Sequence, residues 1–234
     1  CPYLAPVAAH IIRKAVPSPQ PAQLPGRRKG HRILVPLAVL GEREMLTLLF
    51  GPGRRPVRDP EDLSDAVDAD PVRCLDPDAS RAMVEHINVQ RKANESIGGV
   101  FEVIVFGVVP GLGSHVSWEE RLDGRLAQAI CSIQAVKGVT LGEAFEIAAK
   151  PGSEAHDEIF HSDERGYFRE TNRAGGLEGG MTTGEPLLVR GAMKPLPTLT
   201  QPLRSVDIAT REPAQALRER TDSSTVPAAG TVLE

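Results

Sequence analysis

The chain has 234 residues, of which 41% are hydrophobic and 25% are charged, a composition typical of globular proteins. Its apolar runs are shorter than the roughly 20 residues of a membrane span, so we expect no membrane partner. Aromatic residues make up only 4%, which argues against stacking platforms for nucleic acid. The three cysteines have no metal or redox spacing, so the sequence predicts a reduced, cytoplasmic protein without a metal site.

Charge and proline are concentrated at the start of the chain. Residues 1–58 carry ten Lys or Arg against two Glu and nine of the 20 prolines, whereas residues 59–234 carry 17 basic and 29 acidic residues. We therefore predict two parts, a basic, Pro-rich and poorly folded segment (1–58) and a folded domain (59–234). Two alternatives for the first part are a disordered basic arm that binds nucleic acid and a divergent folded start with short strands at Ile33–Val39 and Met45–Phe50.

The first regular elements follow residue 70. Asp76-Pro77-Asp78 predicts a helix start, and apolar residues at 83, 84 and 87 extend the helix to about Lys92. The run Val100–Val109 is rich in β-branched and aromatic residues and predicts a strand.

Two capping-box patterns predict further helices. Ser117 and Glu120 precede a helical apolar stripe that predicts a long helix through Lys137, stopped by Gly138. A second pair, at positions 140 and 143, predicts a short helix that ends at Pro151. Two more strand predictions follow, a strand at 186–193 and a hairpin of residues 203–209 with residues 214–217.

A glycine-rich segment, Arg169–Gly184, has five glycines within ten positions. Glycine is used so densely where the backbone takes positive φ or closely approaches a ligand. A glycine-rich surface turn is the alternative interpretation.

The order of residues around this segment resembles a known family. The blocks Asn-Arg-Ala-Gly-Gly (172–176), Gly-Gly-Met-Thr (179–182) and Ala-Met-Lys-Pro (192–195) are similar to the signature of chorismate synthase. The resemblance extends from about Asp65 to the last residue. It implies an α+β fold, the β-α-β sandwich of helices between antiparallel sheets, and usually a homotetramer. We expect the sandwich to be incomplete here, because the block at Arg220–Gly230 opens a long helix in the family and only four residues follow it.

The resemblance also implies a reaction. Chorismate synthases are carbon–oxygen lyases of the shikimate pathway, which makes aromatic amino acids. They catalyse the 1,4-anti elimination of phosphate from 5-enolpyruvylshikimate 3-phosphate to give chorismate. Reduced FMN is the cofactor and undergoes no net redox change. Two sources of its electrons stay open, a separate reductase or an intrinsic activity with NADP.

Matching positions imply a set of site residues. Asp222 is the catalytic candidate, and Arg204 is a substrate contact. The FMN contacts implied by the resemblance are Gln134, Ala135, Gly179, Lys194, Pro195, Leu196, Pro197, Thr198 and Arg220. From the residues alone, a solvated helix side chain is the safer interpretation of Gln134, and a helix N-cap ahead of Pro227 is the alternative interpretation of Asp222. His156, beside two carboxylates, suggests acid–base or metal chemistry, but we favour a structural or rim position.

The sequence departs from the family upstream. The Gly-Glu-Ser-His-Gly, Arg-Pro-Gly-His-Ala-Asp and Ser-Ala-Arg-Glu-Thr segments, which carry two catalytic histidines and further substrate and flavin contacts, are absent. A third interpretation of residues 1–58, which we favour, is a segment outside the family's reading frame, because Pro and Arg are in excess there and the family-like sequence begins abruptly near Asp65. We expect this chain alone to have impaired activity, and the alternative function is a non-catalytic flavin-binding or assembly remnant.

Overall fold

The computed structural model describes residues 32–34, 37–38, 66–219 and 222–233. Its helices are α1 (Pro77–Lys92), α2 (Leu122–Cys131), α3 (Ala144–Ala148), α4 (Gly152–Ala155) and α5 (Val226–Leu233). The first six strands are β1 (Arg32–Leu34), β2 (Leu37–Ala38), β3 (Gly99–Phe106), β4 (Val136–Leu141), β5 (Ile159–Ser162) and β6 (Gly166–Arg169). The other five are β7 (Leu177–Glu178), β8 (Met181–Thr182), β9 (Leu187–Met193), β10 (Arg204–Val206) and β11 (Pro213–Gln215).

A five-stranded antiparallel sheet is the centre of the described fold. Its order is β1–β3–β9–β4, and β2 also pairs with β3. Two short parts of the predicted Pro-rich segment therefore belong to the sheet, since Ile33 pairs with Val105 and Leu37 pairs with Phe101. The predicted strand at Met45–Phe50 lies outside the described residues.

The main core covers one face of this sheet. Side chains alternate between the faces of a strand, and the burial of β9 alternates accordingly. Each large apolar side chain buried in this way stabilises the fold by about 1.5–3 kcal/mol. The buried side chains on this face include Phe101, Val103 and Val105 of β3, Leu187 and Val189 of β9, Met83 of α1, Leu122, Leu126 and Ile130 of α2, and Val226 of α5.

The first predicted helix is confirmed as α1. The Asp76 carboxylate accepts hydrogen bonds from the N–H groups of Asp78 (2.8 Å) and Ala79 (3.0 Å), and Pro77 occupies the first turn. These contacts satisfy N–H groups that have no partner within the helix. Met83 is fully buried against the sheet, as the apolar spacing predicts.

The predicted long helix is wrong at its C-terminal end. Helix α2 ends at Cys131, and Val136 opens strand β4 opposite Met193, so Gly138 lies within a strand beside a β-bulge. The apolar residues up to position 136 fit a helical period and a buried strand equally well. Pairing with β9 decides the outcome, because sheet pairing overrides a local helical preference.

The predicted capping box at the start of this helix is also wrong. The helix begins at Leu122 after Arg121, with no side-chain cap. The Leu122 N–H donates instead to the carbonyl of Gly180 at 2.9 Å. A long-range backbone contact thus performs the role that local sequence assigned to Ser117 and Glu120.

The remaining predictions differ from the structure mainly at their ends. Strand β3 ends at Phe106, three residues early, before Gly107 at φ 71°. The second capping box does not form, since Thr140 belongs to β4 and α3 begins after Glu143 without a side-chain cap. The strand at 186–193 is confirmed as β9, and the hairpin is confirmed as β10 paired with β11.

Candidate functional site

Three strand ends meet at one end of the sheet. Both Gly99, where β3 begins, and Val136, where β4 begins, lie opposite Met193, where β9 ends. The residues just outside these strands are therefore neighbours. We call Gln134, Ala135, Lys194–Thr198 and Asp222 the strand-end site; all were predicted as flavin or catalytic residues.

The turn from α2 to β4 joins two members of the strand-end site. The Lys194 N–H donates to the Ala135 carbonyl at 2.9 Å. Ala135 adopts φ 68°, a left-handed conformation that costs a non-glycine residue roughly 1–2 kcal/mol. Gln134, immediately before it, is exposed. The structure therefore fixes the backbone of this turn and leaves the Gln134 amide available at the surface.

The loop after β9 has few backbone donors of its own. Pro195 and Pro197 lack an N–H, and both are exposed together with Lys194. The Leu196 carbonyl between them accepts a hydrogen bond from the Ser96 hydroxyl at 2.7 Å. The loop thus presents the Lys194 ammonium group at the surface, while the Ser96 hydroxyl binds its backbone from the buried side.

Asp222 reaches the same end of the sheet through its neighbour. The Ser223 carbonyl accepts a hydrogen bond from the Ile97 N–H at 2.7 Å, and Asp222 itself is exposed. Helix α5 begins at Val226, so the residue before it, Thr225, has the N-cap position. The alternative interpretation of Asp222 as the cap of this helix is therefore wrong.

One predicted residue, Gly179, is not brought into the strand-end site. Gly179 lies beside the N-terminal end of α2, because the adjacent Gly180 carbonyl accepts from Leu122. Ala135 follows the other end of this ten-residue helix, about 15 Å away. Arg204 is exposed on β10, and Arg220 lies outside the described residues.

The glycine-rich segment is organised by a buried carboxylate. Asp157, 7% exposed, accepts hydrogen bonds from the Thr171 hydroxyl (2.5 Å) and from the N–H groups of Arg173 and Ala174 (2.9 Å each). Burial of Asp157 alone would raise its pKa. The three hydrogen bonds and the Arg173 charge outweigh burial, so the pKa lies below its ordinary value.

Sequence reasoning missed the role of Asp157. Asp157 was considered only as a neighbour of His156. The sequence of the His-Asp-Glu run gives no signal that one of its two carboxylates is buried. His156 is exposed and lines a cavity of about 310 Å³ with Lys150, Glu158 and Arg173. Within the described ranges no group of three metal-ligating side chains occurs. His156 is thus an exposed residue at the edge of this cavity, and its structural or rim role stays a prediction.

The comparisons with known proteins agree with one another. The family model for chorismate synthase matches residues 29–234. The chain belongs to the chorismate synthase family. Its match to the chorismate synthase of Brevibacillus brevis is 51% identical over 209 residues, 89% of this chain and 51% of that protein. The match to the chorismate synthase of Thermobifida fusca is 54% identical over 183 residues, 78% of this chain and 46% of that protein.

A solved structure supports the same assignment. The crystal structure of a chorismate synthase superposes with a TM-score of 0.67 at 37% identity, covering 88% of this chain and 54% of that one. The described chain therefore has the mixed helix-and-sheet fold of this family. The family match begins at residue 29 rather than near Asp65, so the resemblance extends further upstream than predicted. The chain spans about half the length of the chorismate synthases it matches.

Across the residues that the structure describes, no helix is both long and apolar enough to span a membrane.

Proposed function

We propose that this chain supplies a flavin-binding part of the active site of chorismate synthase. The reaction of that site is the anti-1,4-elimination of phosphate from 5-enolpyruvylshikimate 3-phosphate. The observation that carries this proposal is the strand-end site. Gln134, Ala135, Lys194–Thr198 and Asp222 come from three separate parts of the sequence and meet at one end of the sheet. Membership of the family supports assigning reduced FMN to them.

The chemistry of the strand-end site fits a flavin. An exposed ammonium (Lys194) suits an anionic group, while an amide (Gln134), a hydroxyl (Thr198) and a carboxylate (Asp222) suit the donors and acceptors of a flavin ring. The two prolines fix φ on either side of Leu196, so the loop loses little conformational freedom when a ligand binds.

The chemistry that bound reduced FMN supplies is transient donation of electron density while phosphate leaves, without net oxidation or reduction. In this proposal, Lys194 holds fixed positive charge beside the anionic reactants. Asp222 holds or accepts a proton at the flavin edge. Arg204 contributes a bidentate contact to a substrate anion.

The alternative function is a non-catalytic flavin-binding or assembly remnant. One observation favours it, the absence from this sequence of the three histidine-, arginine- and serine-containing segments named above. We therefore propose that this chain alone binds reduced FMN and is impaired in the elimination.

Anaerobic titration of the purified chain with reduced FMN and substrate, following flavin absorbance and phosphate release, tests the proposal. We expect flavin binding with little or no phosphate release. Asp222→Asn is the matched variant, since it keeps side-chain size but removes the carboxylate, and Asp163→Asn on the exposed β5–β6 turn is its control. No flavin binding would contradict the proposed function, whereas rapid phosphate release would contradict the impairment.

Several finer features are proposed with the function. They are the β-α-β sandwich, a homotetramer, a cytoplasmic location, an intrinsic NADP-dependent or separate source of electrons, and the division into residues 1–58 and 59–234. Exposed apolar side chains on the β10–β11 hairpin, among them Val206 and Ile208, support assembly with further protein. Light scattering during size exclusion measures the assembly, and a monomer at all concentrations would contradict the tetramer.

A further inference from the structure

The segment between α1 and β3, residues 94–98, contacts two of the three parts of the strand-end site. Its Ser96 hydroxyl donates to the Leu196 carbonyl at 2.7 Å, and its Ile97 N–H donates to the Ser223 carbonyl at 2.7 Å. The two donors are consecutive residues. One short piece of backbone therefore sets the position of the Lys194–Thr198 loop relative to the segment that carries Asp222.

The fit between this segment and the loop is tight. A Cβ atom built on Gly98 would lie 2.2 Å from the Met193 carbonyl oxygen and 3.0 Å from backbone atoms of Lys194 and Pro195. At its other end, the Asn94 carbonyl accepts a hydrogen bond from the Thr200 hydroxyl at 3.2 Å. The segment thus contacts the chain between Met193 and Thr200, and most of these contacts are made by backbone atoms.

Ser96 supplies a side-chain contact at the centre of this interface. It is 8% exposed, so its hydrogen bond to Leu196 is shielded from water. The loop lacks N–H groups at Pro195 and Pro197, so it depends on partners outside itself. Removing the Ser96 hydroxyl would leave the Leu196 carbonyl without this donor in a buried place, where an unpaired polar group is most unfavourable.

We propose that Ser96 is a positioning residue for the flavin site, which acts through Leu196 to hold the Lys194–Thr198 loop in register with Asp222. The identity of the ligand rests on the proposed function. The geometric part of the proposal rests only on the contacts described above.

Hydrogen–deuterium exchange of the full chain tests the geometric part without a ligand. In Ser96→Ala, we expect the amides of residues 194–200 to exchange about tenfold faster than in the wild type. Ser80→Ala is the matched control, because Ser80 is 6% exposed and donates its hydroxyl to the Asp70 carboxylate at 2.5 Å, outside the strand-end site. Unchanged exchange at 194–200 in Ser96→Ala, or an equal increase there in Ser80→Ala, would overturn the proposal.

FMN titration, read from flavin fluorescence, tests the functional part. We expect the Kd of Ser96→Ala to rise about tenfold, while Ser80→Ala loses comparable stability at unchanged Kd. Ser96→Cys, which keeps the size but weakens the donor, should weaken binding in the same direction if Ser96→Ala does not fold. If the wild type binds no FMN, the proposed function fails and exchange still decides the positioning role. If the wild type binds and Ser96→Ala binds equally well, only the positioning role fails.

Discussion

At the scale of single residues, glycines of the glycine-rich segment serve two different purposes. Gly175 touches the backbone of Gly142, so a Cβ on Gly175 would lie 2.4 Å from the Gly142 nitrogen. Gly179 differs, because no atom of the described residues lies within 4 Å of the position that a Cβ on Gly179 would take, although its φ is also positive at 60°. The first glycine is needed for packing within the chain, and the second only for its backbone conformation.

These two positions make the first prediction. Gly175→Ala combines a backbone clash with a left-handed φ, and we expect it to lower the free energy of unfolding by about 4 kcal/mol. Gly179→Ala adds only the strain of positive φ, about 1 kcal/mol. Urea unfolding measures both, and equal losses of stability would contradict the distinction.

The pKa of Asp157 makes the second prediction. Because this pKa is lower in the folded chain than in the unfolded one, Asp157 stabilises the fold above about pH 4, and the contribution disappears as the pH falls through the folded value. Asp157→Asn should cost about 2 kcal/mol at pH 7, and the difference from wild type should shrink on acidification. Urea unfolding between pH 7 and pH 3 gives the difference, and Asp163→Asn is the exposed control. A difference independent of pH would rule out this role.

At the scale of elements, the β3–β9 pair carries a buried charge pair on the face opposite the main core. The Arg190 Nε donates to the Glu102 carboxylate at 2.7 Å, and Glu102 is only 2% exposed. The two residues are direct cross-strand partners. An additional ion pair joins Arg190 to Glu146 of α3 at 3.5 Å, so this charge also ties a helix to the sheet.

The third prediction compares the loss of stability when one charge of this pair is removed with the loss when both residues are replaced by apolar ones. Arg190→Met removes the guanidinium that contacts the buried Glu102 carboxylate and should lower the free energy of unfolding by about 3–5 kcal/mol. The double variant Glu102→Leu with Arg190→Met should recover most of that loss, because two apolar side chains then face each other. A double-mutant cycle in urea measures the coupling. A double variant that is less stable than Arg190→Met would contradict the prediction that Arg190 offsets the unfavourable burial of the Glu102 charge.

At the scale of the whole molecule, the sheet separates two regions that are rich in family-like residues. The strand-end site lies where β9 ends, and the glycine-rich segment packs where β9 begins, since the Leu188 N–H donates to the Gly175 carbonyl at 3.0 Å. The β3–β9–β4 sheet therefore lies between the two regions. A ligand at the strand-end site would stabilise the fold as a whole, because it binds only the folded chain.

The fourth prediction uses this linkage. Reduced FMN at 100 times its Kd should raise the free energy of unfolding by about 2.7 kcal/mol. Lys194→Gln removes an exposed charge, so we expect unchanged stability without FMN and about tenfold weaker binding. Thermal unfolding with and without FMN measures both quantities. Lys150→Gln, at an exposed lysine away from the strand-end site, is the control and should retain the full FMN effect.

The sequence alone determined the elements whose signals are local. Asp76 with Pro77 marks the start of α1, the β-branched runs predict β3 and β9, and the blocks around the glycine-rich segment place the chain in its family. These features follow from side-chain chemistry and spacing within a few residues. The flavin and catalytic assignments remain predictions, although the structure brings most of those residues together.

Only the tertiary structure decided what depends on contacts between distant residues. Sheet pairing with Met193 turns Val136 from a helix residue into a strand residue, and burial makes Asp157 the anchor of the glycine-rich segment. The hydroxyl of Ser96 meets the carbonyl of Leu196 across 100 positions of sequence. A local pattern cannot specify such contacts, because their free energy arises only when the folded chain brings both partners together and removes water from them.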